Sequence, residues 1–146
     1  MFDVIIKNGT VIDGTKRERY KADVGIYHGK ITKIGHLHNE KAEKEIDAEE
    51  KYVCPGFIDV NNHSDTYWQV FLNPNLESLL YQGVTTIIGG NCGSSLAPLT
   101  SAQNIEAVQK WADFKKINLN WLDIEEFFEE LESRKLSVNF ATLVGH

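Results

Sequence analysis

Over the first 53 residues, apolar and polar positions change places in short runs. Val4-Ile5-Ile6, Thr10-Val11-Ile12, Val24-Gly25-Ile26-Tyr27 and Ile31-Thr32-Lys33-Ile34 are rich in β-branched residues, and Glu45-Ile46-Asp47 is a weaker fifth run. Between them stand Asn8-Gly9, Asp13-Gly14 and His28-Gly29, dipeptides that supply the positive φ angles of tight hairpin turns. This pattern predicts a small antiparallel β unit. Residues Asn39 to Glu50 are almost all charged or alanine and carry no apolar stripe, so they predict a loop around one short strand.

The pattern changes at Pro55-Gly56. Phe57-Ile58-Asp59-Val60 is an apolar run of strand character, and Asn73-Pro74 predicts an N-cap followed by a first-turn proline. Leu76, Leu79 and Leu80 then share one helical face, and Gly83 ends that helix. Val84 to Ile88 is β-branched with almost no polar alternation, as a parallel strand covered on both faces requires. Ile105, Val108 and Trp111 mark a second helix. Asp123-Ile124-Glu125-Glu126 predicts a capping box opening a third, with Phe127, Phe128 and Leu131 inward. Val138 to Val144 predicts one more buried strand.

An antiparallel β unit followed by alternating strands and helices fits an α/β chain: a β domain over residues 1–55, then the first strands and helices of a (β/α)8 barrel over residues 56–146. A closed barrel needs about 250 residues, and the second stretch supplies roughly three of its βα units. The expectation is therefore a piece of a longer protein, with an open sheet edge. A small free-standing α/β domain is the alternative.

Composition narrows the function classes. The chain has 146 residues, 25% charged and 42% hydrophobic, within the globular range. Its formal charge of −6 argues against a nucleic-acid partner, since duplex binding needs a Lys/Arg surface. The one basic cluster, Lys16-Arg17-Glu18-Arg19, fits a solvated turn. No apolar run approaches the ~20 residues that span a bilayer, and Asp3 interrupts any signal-like start, so a cytoplasmic location is expected. Cys54 and Cys92 form no CxxC pair and no disulfide framework.

In parallel barrels the working residues lie at the C-terminal ends of strands. After the first strand here comes Asn61-Asn62-His63-Ser64-Asp65, and after the second Gly89-Gly90-Asn91-Cys92-Gly93. Positions 61, 63 and 65 would share one face of an extended strand, so Asn61, His63 and Asp65 are expected to point together into the mouth. An imidazole and a thiolate from neighbouring strands suit zinc. Each also has an ordinary role: a lone cysteine is often a small buried hydrophobe, a strand-end histidine often bonds a carbonyl, and Asp65 could cap backbone amides. The glycines could instead form a phosphate nest, but no Gly-x-Gly-x-x-Gly or Gly-Lys-Ser/Thr pattern supports it. His28, His36 and His38 have no spaced ligand partners and suggest surface or packing roles, as does Cys54 beside Pro55.

The order of motifs is informative: Ile6-Lys7-Asn8-Gly9-Thr10-Val11-Ile12-Asp13-Gly14-Thr15, Ala22-Asp23-Val24-Gly25-Ile26, Gly29-Lys30-Ile31, then Pro55-Gly56-Phe57-Ile58-Asp59-Val60. It resembles the opening of amidohydrolase-superfamily enzymes. Gly83-Val84-Thr85-Thr86, Gly90-Asn91-Cys92-Gly93 and Leu96-Ala97-Pro98-Leu99 narrow the likeness to the D-aminoacylase (N-acyl-D-amino-acid deacylase) family, and Leu143-Val144-Gly145-His146 resembles its next barrel strand.

The resemblance implies a composite β-sandwich domain built from both chain ends, a (β/α)8 barrel, and a zinc site in which Cys92 matches the family's cysteine ligand. His63 matches the second histidine of its His-x-His motif. Asn61 replaces the first, and a neutral amide is a poorer zinc ligand, which puts a second metal position in doubt. Asn61, Asp65, Asn91 and His146 would line the site. Two further histidines and a proton-transferring aspartate would come from later strands, so the isolated chain is expected to be inactive. The implied partners are an N-acylated amino acid, zinc, and the C-terminal remainder of the barrel. Alternatives are a ring-amide hydrolase of the dihydropyrimidinase or dihydroorotase kind, which shares Gly-Phe-Ile-Asp but lacks Asn-Cys-Gly, and a non-catalytic assembly module.

Overall fold

A two-residue turn at His28-Gly29, with φ of 48° and 70°, joins two antiparallel strands at the pair Tyr27 and Lys30. Positive φ at both central positions matches the turn to strand twist, and this dipeptide acts as the sequence predicts. The computed structural model describes residues 1–101, 104–105 and 120–145, which divide into two units at Pro55 and Gly56.

The first unit contains β1 (Phe2–Lys7), β2 (Thr10–Val11), β3 (Tyr20–Lys21), β4 (Asp23–Tyr27), β5 (Lys30–Gly35), β6 (Ala42–Asp47) and β7 (Tyr52–Val53). They form a four-stranded sheet in the order β5-β4-β1-β6 and a three-stranded sheet in the order β3-β2-β7. The antiparallel expectation is corrected here: β1 pairs β6 in parallel, and β2 pairs β7 in parallel, so both sheets are mixed. Asn8-Gly9 is not a hairpin turn but hands the chain from one sheet to the other, with Gly9 so close to Val53 that a Cβ would stand 2.5 Å from its Cγ2. Asp13-Gly14 likewise sits in a longer connection between β2 and β3 rather than a tight turn.

The short strand expected within 39–50 is six residues long, β6. Its charged Glu43-Lys44-Glu45 stretch hid its full length from a search for apolar periodicity. It is an edge strand, where solvated charged side chains guard the open backbone groups.

Register places Val4, Ile6, Val24, Ile26, Ile31, Ile34 and Ile46 on one face of the larger sheet. Val24 is buried there with Val11 and Ala22, and Ile6, Tyr20, Ile26 and Val53 pack around them. Ile31, Ile34 and Ile46 on the same face remain exposed. On the opposite face Asp23 is 3% exposed, and its carboxylate accepts the backbone N–H groups of Asn8 (2.9 Å) and Leu37 (2.8 Å). Burial pushes its pKa up. The two amide hydrogen bonds, with the charge His38 and His36 carry when protonated, outweigh burial and hold it below the ordinary 3.8.

The second unit contains β8 (Phe57–Asp59), α1 (Gln69–Leu72), α2 (Glu77–Leu80), β9 (Val84–Gly89), a 3-10 turn at Asn91–Gly93, α3 (Ile124–Arg134) and β10 (Asn139–Thr142). Strands β8 and β10 flank β9, all parallel, so the strands neighbour one another in chain order. Ile87 of β9 is fully buried in a core with Trp68, Phe71, Leu96, Trp121, Phe127 and Leu131. Phe71 and Trp121 stack 5.2 Å apart, and the Trp121 indole N–H donates to the Leu96 carbonyl.

The capping box stands as predicted. Asp123 accepts from the Glu126 amide (2.9 Å) while the Glu126 carboxylate accepts from the Asp123 amide (3.3 Å), and Phe127 and Leu131 face inward. The helix predicted from Pro74 is corrected. Leu76 has φ 43°, left-handed, so α2 starts at Glu77, and Asn73 instead caps the preceding α1. The last strand is also less buried than predicted: β10 is an edge strand, with Leu143 and Val144 exposed beyond it. Val108 and Trp111 lie outside the described residues, and Ile105 is buried. No helix among the described residues is long and apolar enough to cross a membrane.

The carboxylate of Asp23 gives the first unit a predictable acid sensitivity. Its folded pKa lies below the unfolded value, so ionised Asp23 stabilises the fold above about pH 4, and this contribution is lost as pH falls through the folded value. Asp23→Asn should therefore lower stability by about 1–3 kcal/mol at pH 7. In urea titrations the gap to wild type should close on acidification; a gap that stays constant from pH 7 to pH 3 would contradict it.

Candidate metal centre

The loops after β8 and β9 meet because backbone amides there find a shared acceptor. The Asp65 side chain is 1% exposed; one oxygen accepts the Gly90 N–H at 2.6 Å and the other accepts the Thr66 N–H at 2.7 Å. Gly89 leaves room for that carboxylate, since a Cβ there would stand 2.6 Å from Asp65 Oδ2 and 3.0 Å from the Phe140 ring. Gly90 has φ 72°, which suits glycine, and its own missing Cβ would strike the Leu143 carbonyl.

Further bonds lace the strand ends. The Asn62 amide donates to the Ile88 carbonyl (3.1 Å), and Asn91 Nδ2 donates to the carbonyls of Ile88 (2.7 Å) and Asn62 (3.3 Å). The Asn62 side chain donates to Asp59 and accepts from the Ser64 amide. On the far side the Leu143 amide reaches the Gly89 carbonyl and the Gly145 amide reaches Ser95 Oγ, each within hydrogen-bond range.

Within this frame Cys92 Sγ and His63 Nε2 lie 3.9 Å apart. Cys92 is exposed and holds φ 59°, ψ 28°, a left-handed backbone that costs a non-glycine residue on the order of 1–2 kcal/mol. Two ligands of one tetrahedral zinc, with Zn–S near 2.3 Å and Zn–N near 2.0–2.1 Å, stand about 3.6 Å apart. The observed separation is close to that edge, and sulfur with imidazole nitrogen is a donor set zinc accepts. His63 Nδ1 is buried with no hydrogen-bond partner among the described residues. A metal-bound imidazole ordinarily gives this nitrogen an acceptor. No third His, Cys, Asp or Glu joins the pair to form a cluster among the described residues.

The expected alternation of Asn61, His63 and Asp65 on one strand face is corrected. Strand β8 ends at Asp59, and Asn61 lies in a turn with its N–H donated to the Asp59 carboxylate (3.2 Å). Asn61 is exposed, Asp65 is turned into the protein as a backbone clamp, and Asn91 spends its amide on two carbonyls. His146 lies outside the described residues. Asp59 and Asn62 were not singled out in the sequence; the density of Asn and Asp around position 60, residues that bond nearby backbone, is the signal that marks them.

Comparison with known proteins places this arrangement. Residues 1–55 match the family model of the urease alpha-subunit N-terminal domain. The chain is 37% identical over 144 residues to N-acyl-D-glutamate deacylase of Alcaligenes xylosoxydans xylosoxydans, covering 99% of the chain and 28% of that protein. The crystal structure of N-acyl-D-glutamate deacylase from Bordetella bronchiseptica, complexed with zinc and a phosphonate inhibitor, superposes with a TM-score of 0.82 at 35% identity, over 99% of this chain and 30% of that one. A D-aminoacylase structure, solved to define the role of its binuclear metal centre, gives 0.83 at 35% identity, over 100% of this chain and 30% of its own.

Sequence and fold thus make the chain an amidohydrolase relative. Within that superfamily its likeness is to members of the D-aminoacylase family, of which it spans under a third of the length.

If Asp65 fixes the Cys92 loop, removing its oxygens should loosen that loop. Asp65→Ala leaves two amides unpaired and should destabilise the second unit by about 1–3 kcal/mol, with Asp65→Asn milder because one acceptor oxygen remains. Chemical denaturation read at tryptophan fluorescence would measure both. Equal stability of Asp65→Ala and wild type would rule the clamp out.

Proposed function

We propose that Cys92 and His63 are two ligands of a zinc ion in a hydrolase that cleaves the amide bond of N-acyl-D-amino acids, and that this chain supplies the N-terminal part of that enzyme. The observation carrying the proposal is the 3.9 Å approach of a thiol and an imidazole from the ends of neighbouring parallel strands. The deacylase likeness over 99% of the chain supports the substrate class. When bound, zinc would polarise the acyl carbonyl or activate water.

The chain's own residues then have separate tasks. Cys92 supplies a negative sulfur ligand, held at a strand end by the Asn91 and Gly90 hydrogen bonds. His63 supplies a neutral nitrogen. Asp65 keeps both loops in register, each of its oxygens accepting one backbone N–H. Asn61 offers only an amide oxygen and leaves a second metal position weak. Proton transfer and the remaining ligands come from elsewhere in the longer protein, so the isolated chain should not turn over N-acetyl-D-amino acids.

The three parallel strands are the start of a barrel, since they neighbour in chain order and both edges, β8 and β10, stand unpaired among the described residues. The first unit is part of a composite β sandwich. Ile31, Ile34 and Ile46 form an apolar sheet face that a second layer would cover.

Metal content separates ligands from neighbours. In the full-length protein Cys92→Ala should lose zinc and activity together, His63→Ala should lose less, and Asn61→His should raise occupancy of a second position by restoring two imidazoles. Plasma emission spectrometry on dialysed protein reads all three. Unchanged zinc in Cys92→Ala would return this cysteine to an ordinary loop residue.

A further inference from the structure

Leu37 is fully buried just after β5, and its N–H is donated to the buried Asp23 carboxylate at 2.8 Å. His36 and His38 flank Leu37 in the connection that leaves β5: both are exposed, and their rings lie 5.7 Å apart, centroid to centroid, with planes 21° from parallel. They line a concavity of about 280 Å³ together with Asn8, Lys21, Asp23 and Glu49.

We propose that His36 and His38 form a two-imidazole chelate for a divalent transition-metal ion on the β unit, using none of the residues assigned to zinc above. Imidazole suits nickel, copper and zinc. Two rings bound to one ion at roughly 2.0–2.1 Å have centroids about 4.5–6.4 Å apart as the ligand angle opens from 90° to 180°, and 5.7 Å falls inside that range. Both side chains are free to turn at the surface, while the backbone between them is held by Leu37. Asp23, ionised, and Glu49 in the same concavity lower the cost of bringing in a dication; Lys21 offsets part of this. No third His, Cys, Asp or Glu completes a cluster among the described residues, so water fills the rest of the coordination sphere. The site is an exchangeable one rather than a structural cage.

Titration calorimetry with nickel(II) chloride on the 146-residue chain tests this directly. In the Cys92→Ser background, which removes the Cys92–His63 pair as a competing chelate, one saturable site should appear, and His36→Gln or His38→Gln should each weaken it on the order of a hundredfold by removing one arm of the chelate. His63→Gln and His28→Gln should leave it in place. In the same background, paramagnetic nickel should broaden the amide and imidazole resonances of His36 and His38 first. Absence of saturable binding, binding unchanged in both histidine variants, or broadening centred elsewhere would overturn the proposal.

Discussion

One buried carboxylate fixes the geometry on which the site depends. Asp65 comes from the loop after the first parallel strand and binds the Gly90 amide at the end of the second, so the two loops cannot move independently. The charge-assisted bond is stronger than a neutral one, and its partner amide sits at a glycine that admits no side chain. Cys92, two residues further on, is thereby held in a left-handed turn beside His63. The same device recurs in the first unit, where Asp23 draws in the amides of Asn8 and Leu37. In each case an acid joins segments distant in sequence: Asp65 the loops that carry His63 and Cys92, and Asp23 the segments around Asn8 and Leu37.

Much of this architecture was legible where local and global preferences agree. Val84 to Ile88 reads as a parallel strand, and β9 is the central one, with parallel neighbours on both sides; its faces are less covered than expected, with only Ile87 and Gly89 buried. The Asp123–Glu126 capping box is a local motif, and local motifs need no tertiary information. What escaped was set by tertiary context. Only the Glu45-Ile46-Asp47 part of β6 was read, because the rest carries the charges of an edge strand. Leu76 adopts a left-handed conformation no propensity anticipates. The parallel pairing of β1 with β6 depends on where the chain returns, which alternation cannot say.

The site was half legible. Asn-Cys-Gly at a strand end and the nearby histidine identified the pair that the fold does bring together. The face-sharing rule failed for Asn61 and Asp65 because β8 stops at Asp59, and the Asx-rich turn beyond it obeys side-chain-to-backbone hydrogen bonding instead of pleat geometry. The pairing of His36 with His38 was missed for a related reason. Nothing in the residue string says that Leu37 is pulled inward by a buried carboxylate from another strand.

Whether Cys92 and His63 hold one ion is best decided by zinc K-edge X-ray absorption on the metal-loaded full-length protein. One sulfur scatterer at about 2.3 Å, with imidazole nitrogen at about 2.0–2.1 Å, and loss of the sulfur shell in Cys92→Ser, is the predicted result. A first shell of nitrogen and oxygen alone in the wild-type protein would contradict it.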